Sequence, residues 1–224
     1  GGFVCPSGGE LTFSLKSPET GAQELVNLSC QGEMGMDGPG GRAWLRDRVR
    51  VTRPGQTITA DRVEIFFTTP GTDSEGKPKG KNNGEPVPQA MELLRAFGSV
   101  RIATPLYRVN AAEILYRPGK NELFVRGSPG RLRFREKAGS SPWHLLAPEL
   151  ILDLLRRELL CPRGGVLAGV LPASPGESSS FAGPLFLRCR GELRFLGAES
   201  RLQLRNRVHF RRGEMTVDAG QATL

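Results

Sequence analysis

Residues 26–65 and 185–224 align without a gap at an offset of 159, and thirteen of the forty pairs are identical. Cys30/Cys189, Gly32/Gly191, Glu33/Glu192, Arg48/Arg207, Val49/Val208 and Ala60/Ala219 are among them. The opening run Cys5-Pro6-Ser7-Gly8-Gly9 likewise returns as Cys161-Pro162-Arg163-Gly164-Gly165. An internal duplication of this kind demands a unit that can be laid beside its own copy, so a repeat architecture is the first expectation. The second copy ends with the chain at Leu224, and the native chain is expected to continue beyond this fragment.

The duplication contains a shorter signature. Residues 58–65 (ITADRVEI), 109–116 (VNAAEILY), 145–152 (LLAPELIL) and 217–224 (VDAGQATL) share apolar positions at i, i+2, i+5 and i+7, with alanine at i+2. A helix would place them at i, i+3, i+4 and i+7. A strand would alternate strictly. The pattern is period two with one slip after the alanine, which a bulge or kink produces by returning later side chains to the original face. Each copy is preceded by a strand and a turn. Residues 49–65 and 100–116 align at an offset of 51, with Pro54 and Pro105 in the turns, so the elementary unit is a hairpin. Residues 111–124 and 147–160 align at an offset of 36, which puts 148–160 on two strands despite its helix-forming leucines and arginines.

Between the signatures, strands alternate cleanly. Leu45, Val49 and Val51 share one face, as do Leu132 and Phe134, and Leu202, Leu204, Val208 and Phe210. The opposite faces carry Arg46, Arg48 and Arg50, then Arg131 and Arg133, then Arg205, Arg207 and Arg211. Sheets with one dry and one wet face read this way. Residues 69–88, rich in Gly, Pro, Asn and Lys, are expected to be a mobile insertion. Residues 89–97 (QAMELLRAF), with Met91, Leu94 and Phe97 three apart, are expected to form a short helix capping the core. The domain organisation expected is a first repeat unit over 1–160 and an incomplete second copy over 161–224 that continues the same sheet stack.

Net charge is +8, and only six of the 31 basic residues are lysine. That excess suits an acidic partner, or simply a soluble surface in an arginine-rich proteome. Aromatics are 7% of the chain and no base-stacking motif is present, so nucleic acid is not the expected partner. No apolar run of eighteen residues occurs and no signal peptide opens the chain, which reads as a mature or excised fragment. No nucleophile elbow, phosphate loop, dinucleotide fingerprint or zinc-protease motif occurs, so neither an enzyme nor a cofactor is expected. His144 and His209 lie far from any cysteine pair with zinc-ligand spacing.

The four cysteines have two readings. Cys5 and Cys30 flank a turn-like stretch centred near residue 17, and Cys161 and Cys189 flank another near 175, which predicts disulfides Cys5–Cys30 and Cys161–Cys189 across one hairpin each. Loops of that size would each contribute about 3–4 kcal/mol in the chain-entropy account and require an oxidising compartment. Four small buried thiols are the alternative.

Residues 46–65 (RDRVRV, then QTITADRVEI) and 98–116 (GSVRI, then AAEILY) resemble the repeat of the OstA-like family. That family holds the periplasmic lipopolysaccharide-transport proteins LptA and LptC and the N-terminal domain of LptD. The resemblance covers about residues 43–135 and extends more weakly over 145–224. It implies an open, twisted antiparallel β-jellyroll, periplasmic or cell-envelope residence, head-to-tail joining by strand edges, and an apolar groove for acyl chains. The groove would be lined by Val49, Val51, Ile58, Val63, Val100, Ile102, Val109, Ile114, Leu123 and Val125. Partners would be lipopolysaccharide or another anionic lipid, with other β-jellyroll proteins or a second copy at the edges. The apolar pattern fits a closed core equally well, which leaves a structural β-repeat scaffold of the envelope as the alternative.

Overall fold

The computed structural model describes residues 2–16, 22–37, 41–68, 91–105, 107–134, 141–171, 183–197, 199 and 201–224. Residues 69–88, expected to form a mobile insertion, lie outside the described residues. The fold is all-β, an open antiparallel jellyroll built on one sheet.

The chain opens with β1 (Phe3–Cys5), β2 (Gly9–Lys16), β3 (Gln23–Cys30) and β4 (Met34–Asp37). Long hairpins follow: β5 (Arg42–Arg53) with β6 (Gln56–Phe67), and β7 (Met91–Ala103) with β8 (Tyr107–Arg117). A single 3-10 turn (Pro118–Lys120) leads to β9 (Glu122–Phe134) and β10 (Trp143–Asp153). The last quarter holds β11 (Glu158–Cys161), β12 (Gly165–Leu171), β13 (Gly183–Cys189), β14 (Leu193–Leu196), β15 (Arg201–Arg212) and β16 (Met215–Thr223).

The duplication is copied in three dimensions. β4 and β5 map onto β14 and β15 at the sequence offset of 159. β1 opposes β4 with Phe3 facing Met36, and β11 opposes β14 with Leu159 facing Phe195. Gly9 faces Cys30 as Gly165 faces Cys189. The sheet runs unbroken through residues 160 and 161, because β10 pairs with both β11 and β12.

Every long strand is bent at the same level. In β5, Ala43 and Leu45 point inward, three exposed residues follow, and Val49 and Val51 point inward again. In β6, Ile58 and Ala60 are buried, Asp61 and Arg62 turn out, and Val63 and Ile65 return. The slip after the alanine is therefore real, but the extra residue sits in the partner strand. Asp47 and Arg48 stand opposite Asp61, between the pairs Arg46/Arg62 and Val49/Ala60. Both have left-handed φ, 64° and 49°. The second copy repeats this at Asn206 and Arg207, with φ of 63° and 49°. β7 does the same at Gly98 and Ser99. The glycine is needed there, because the Asp61 carboxylate occupies the place of a Cβ. Successive bulges in alternate strands crease the sheet into two limbs. One limb carries residues 42–46 of β5, the other 49–53, and the inward faces of both form one hydrophobic cluster.

Two expectations fail. Residues 91–97 are strand, not helix: Leu94 and Ala96 are buried, and Phe97 points outward beneath Arg62 and Arg95. Pairing to β6 on one side and β8 on the other overrides the local helix preference. The disulfides are also absent, since all four cysteines are free thiols. The β2–β3 hairpin folds with Lys16 opposite Gln23, so Cys30 meets Gly9, while Cys5 has already been turned away to face Met34.

Candidate functional site: the apolar interior and its charged outer faces

All ten residues assigned to the lipid groove converge. Val49, Val51, Ile58, Val63, Val100, Ile102, Val109, Ile114, Leu123 and Val125 belong to one cluster, and the most exposed of them, Ile58, is 8% accessible. Alternation and the crease explain the convergence, because each residue lies on the inward side of its limb. The interior is a packed core along the middle of the ladder.

Towards the ends that packing gives out. Among the described residues β16 pairs only with β15, β1 only with β4 and β2 only with β3. Val217 on β16 and Leu224 just past its end are 46% and 53% exposed, and on β1 the inward Phe3 is 41% exposed. Among the described residues, the inner apolar surface is thus uncovered beside strands with an edge that no other strand pairs. The resemblance led to joining by strand edges, but the unequal exposure of the inward residues was not readable, since Val217 and Ile58 hold the same place in the repeat.

Cys5 and Cys161 sit at the turns that split β1 from β2 and β11 from β12, while Cys30 and Cys189 end β3 and β13. The Cys189 thiol donates to the Arg205 carbonyl oxygen at 2.8 Å. Burial, with the Cys189 sulfur close by, pushes the Cys161 thiol up to about 12. These are structural thiols, since the thiolate is the reactive form.

Outside, the two limbs differ. On the limb with residues 42–46, arginines meet carboxylates. Arg42 donates to Glu64 at 2.6 Å, and Arg62 donates to the same oxygen. Arg95 pairs with Glu113 at 3.2 Å, Arg126 with Glu149 at 3.4 Å and Arg194 with Glu158 at 3.1 Å. Phe97 lies beneath both Arg62 and Arg95, and Phe124 beneath Arg117. Glu64 is 5% exposed. Burial pushes its carboxyl up, but the hydrogen bonds and charges of Arg42 and Arg62 outweigh burial and hold it below the usual range. On the other limb, none of Arg50, Arg101, Arg108, Arg131 and Arg133 pairs with a carboxylate among the described residues. The second copy carries one shallow outward recess, lined by Phe186, Arg188, Arg190, Arg207 and His209, where His209 Nδ1 lies 2.8 Å from Asp218 Oδ1. Among the described residues no group of three or more His, Cys, Asp or Glu could hold a metal, and no helix is long and apolar enough to cross a membrane.

No protein-family model matches the chain. No curated protein matches it either. Among solved structures, the chain is similar to LptH from Pseudomonas aeruginosa, described as the LptA-homologous periplasmic component of the lipopolysaccharide transport device. The similarity has a TM-score of 0.43 at 13% identity and covers 60% of this chain and 79% of that one.

Proposed function

We propose that the protein is a non-catalytic bridge of the cell envelope that carries anionic lipid, of the lipopolysaccharide kind, on the inside of a creased β-ladder, and that ladders join by their open edges. The carrying observation is the exposed inward apolar surface of Val217, Leu224 and Phe3, beside strand edges that no described residue pairs. An edge of this type recruits another strand, and main-chain hydrogen bonds supply the affinity.

The chain contains a template for the joint. β10 pairs with β11 and β12, with Leu145 facing Leu167 and Leu152 facing Leu159. β16 repeats the signature of β10, and β1 and β2 repeat β11 and β12. Transferring the register puts Val217 opposite Leu11 and Leu224 opposite Phe3 of the next ladder, which continues the apolar interior across the joint. Acyl chains would lie between the limbs, and arginines beside the mouth would hold phosphate or sugar-acid groups in charge-assisted hydrogen bonds. Residues 1–160 and 161–224 then act as successive units of one stack within the periplasm or envelope.

A ligand-free scaffold is the second reading, favoured by the near-complete burial of the ten central positions. Photo-crosslinkers at Val51, Ile102, Val109 and Val217, tested against labelled lipopolysaccharide, separate the two. Crosslinks from any of these inward positions go with the conduit. A folded protein that joins by its edges yet gives none is a scaffold. A crosslinker at Leu11 that captures no second copy under any loading refutes the joint itself.

A further inference from the structure

The arginines of the second limb stand apart from the rest. On its outer face Arg50 faces Thr59, Thr59 faces Arg101, Arg101 faces Asn110 and Asn110 faces Arg131. In the next row Arg108 stands directly opposite Arg133. All five arginines are exposed. None is paired with a carboxylate among the described residues, while Arg42, Arg62, Arg95, Arg117, Arg126 and Arg194 of the other limb all are. Like charges placed opposite one another weaken a sheet. Arg108 against Arg133 is therefore a cost to the fold that an external anion would relieve.

Strand geometry turns these residues into a planar array. Arg50, Arg101 and Arg131 lie on alternate strands, roughly 10 Å apart, and Arg131 and Arg133 are about 7 Å apart along one strand. Their outward neighbours Thr57, Thr59 and Asn110 are small hydrogen-bonding groups, and the exposed imidazole of His144 stands opposite Arg133 at the edge of the array. At the border of the array, Leu146 faces Arg131 and Val166 in turn faces Leu146, and Val170 further along is 47% exposed. Exposed aliphatic groups beside an arginine array suit a bilayer interface, where the cations meet phosphates and the apolar groups enter the headgroup boundary.

We propose that the outer face of this limb docks on an anionic membrane surface through the lipid phosphates, leaving the balanced limb turned to water. The docking needs no lipid in the interior, so it stands or falls separately from the conduit.

Flotation of the whole chain with vesicles tests it, comparing phosphatidylcholine alone with phosphatidylcholine containing phosphatidylglycerol. Binding only to the anionic vesicles is expected, weakening steeply with salt. Each arginine near such a surface contributes about fivefold in partitioning, so the variant R101Q/R131Q/R133Q is expected to bind about 100-fold less well. The control R46Q/R126Q/R194Q removes the same charge from the other limb and is expected to lose less than about threefold, with L146S adding a further loss of about the same size. Circular dichroism checks that every variant is folded. Three results overturn the proposal: no flotation with anionic vesicles, equal losses in the two triple variants, or displacement from vesicles by duplex DNA at a lower concentration than by soluble phosphatidylglycerol micelles.

Discussion

Gly8 lies against the carbonyl of Cys30. A Cβ at Gly8 would stand 2.5 Å from that oxygen, and the residue has a φ of +81°. Gly164 lies in the same way against Cys189, with a φ of +72°. Each glycine is the last residue before its strand resumes, so the turn that splits one rung into two depends on it. Any side chain there meets both a left-handed backbone and a fixed peptide oxygen. Gly164→Ala is expected to cost about 3 kcal/mol or more in urea denaturation, summing left-handed strain with backbone displacement. Gly119→Ala is the control, because nothing lies within 4 Å of its would-be Cβ, and a change within about 0.5 kcal/mol is expected.

Arg48 and Arg207 hold φ of 49° in the bulges that crease the sheet. Arginine tolerates that conformation less well than the aspartate and asparagine types that stand beside it at Asp47 and Asn206. Replacing Arg48 by glycine removes the Cβ conflict and is expected to raise stability by about 1 kcal/mol. Arg48→Val, β-branched at the same φ, is expected to lose at least as much. Equal stabilities for the glycine and valine variants in thermal melts would mean that the left-handed bulge carries no strain.

Glu64 is the buried carboxylate on which Arg42 and Arg62 converge. Its folded form holds the proton more weakly than the unfolded chain, whose value lies near 4.5. Its contribution is therefore complete above that value and disappears as pH falls through the lower, folded one. The wild type is expected to lose stability more steeply than Glu64→Gln below about pH 4.5. Near neutrality the glutamine variant is expected to be weaker by about 1–2 kcal/mol, since both guanidinium groups keep partial access to water. Parallel acid-denaturation curves for the two proteins contradict this.

The crease was legible in the sequence because a slip in alternation survives any folding: Ile58, Ala60, Val63 and Ile65 must reach one side. The strand that carries the extra residue was not legible. Two outward residues in β6 look the same whether the bulge is its own or its partner's, and an arginine such as Arg48 does not signal a left-handed backbone. The helix expected over 89–97 had a similar origin. Ala96 is too small to register as an inward residue, so Met91, Leu94 and Phe97 supplied a false period of three. The cysteine pairing depended on where the β2–β3 turn falls, and a shift of two residues in its centre separates Cys5 from Cys30. The inward side of the ten core residues was readable from alternation together with the slip after the alanine, and their grouping as one lining came from the family resemblance. The unequal charging of the limbs was not, because a carboxylate finds its arginine across strands, through a register no single strand discloses.

Cys161 links the chemistry of the splitting turn to pH. Burial first, and the neighbouring Cys189 second, raise its thiol from a value near 9 to about 12. Between those values the unfolded chain releases the proton and the folded chain keeps it, so unfolding becomes easier as pH rises. Stability is expected to fall steadily as pH rises through the window between about 9 and 12, by on the order of a few kcal/mol in all. Cys161→Ala has no proton to lose and is expected to show a flatter alkaline limb, at a lower starting stability because a buried sulfur has been removed. The same burial predicts that all four thiols react with a maleimide in denaturant, while in the native protein at neutral pH Cys161 reacts far more slowly than the half-exposed Cys5. Steep alkaline loss that persists unchanged in the alanine variant assigns the effect to other groups and removes Cys161 from the account.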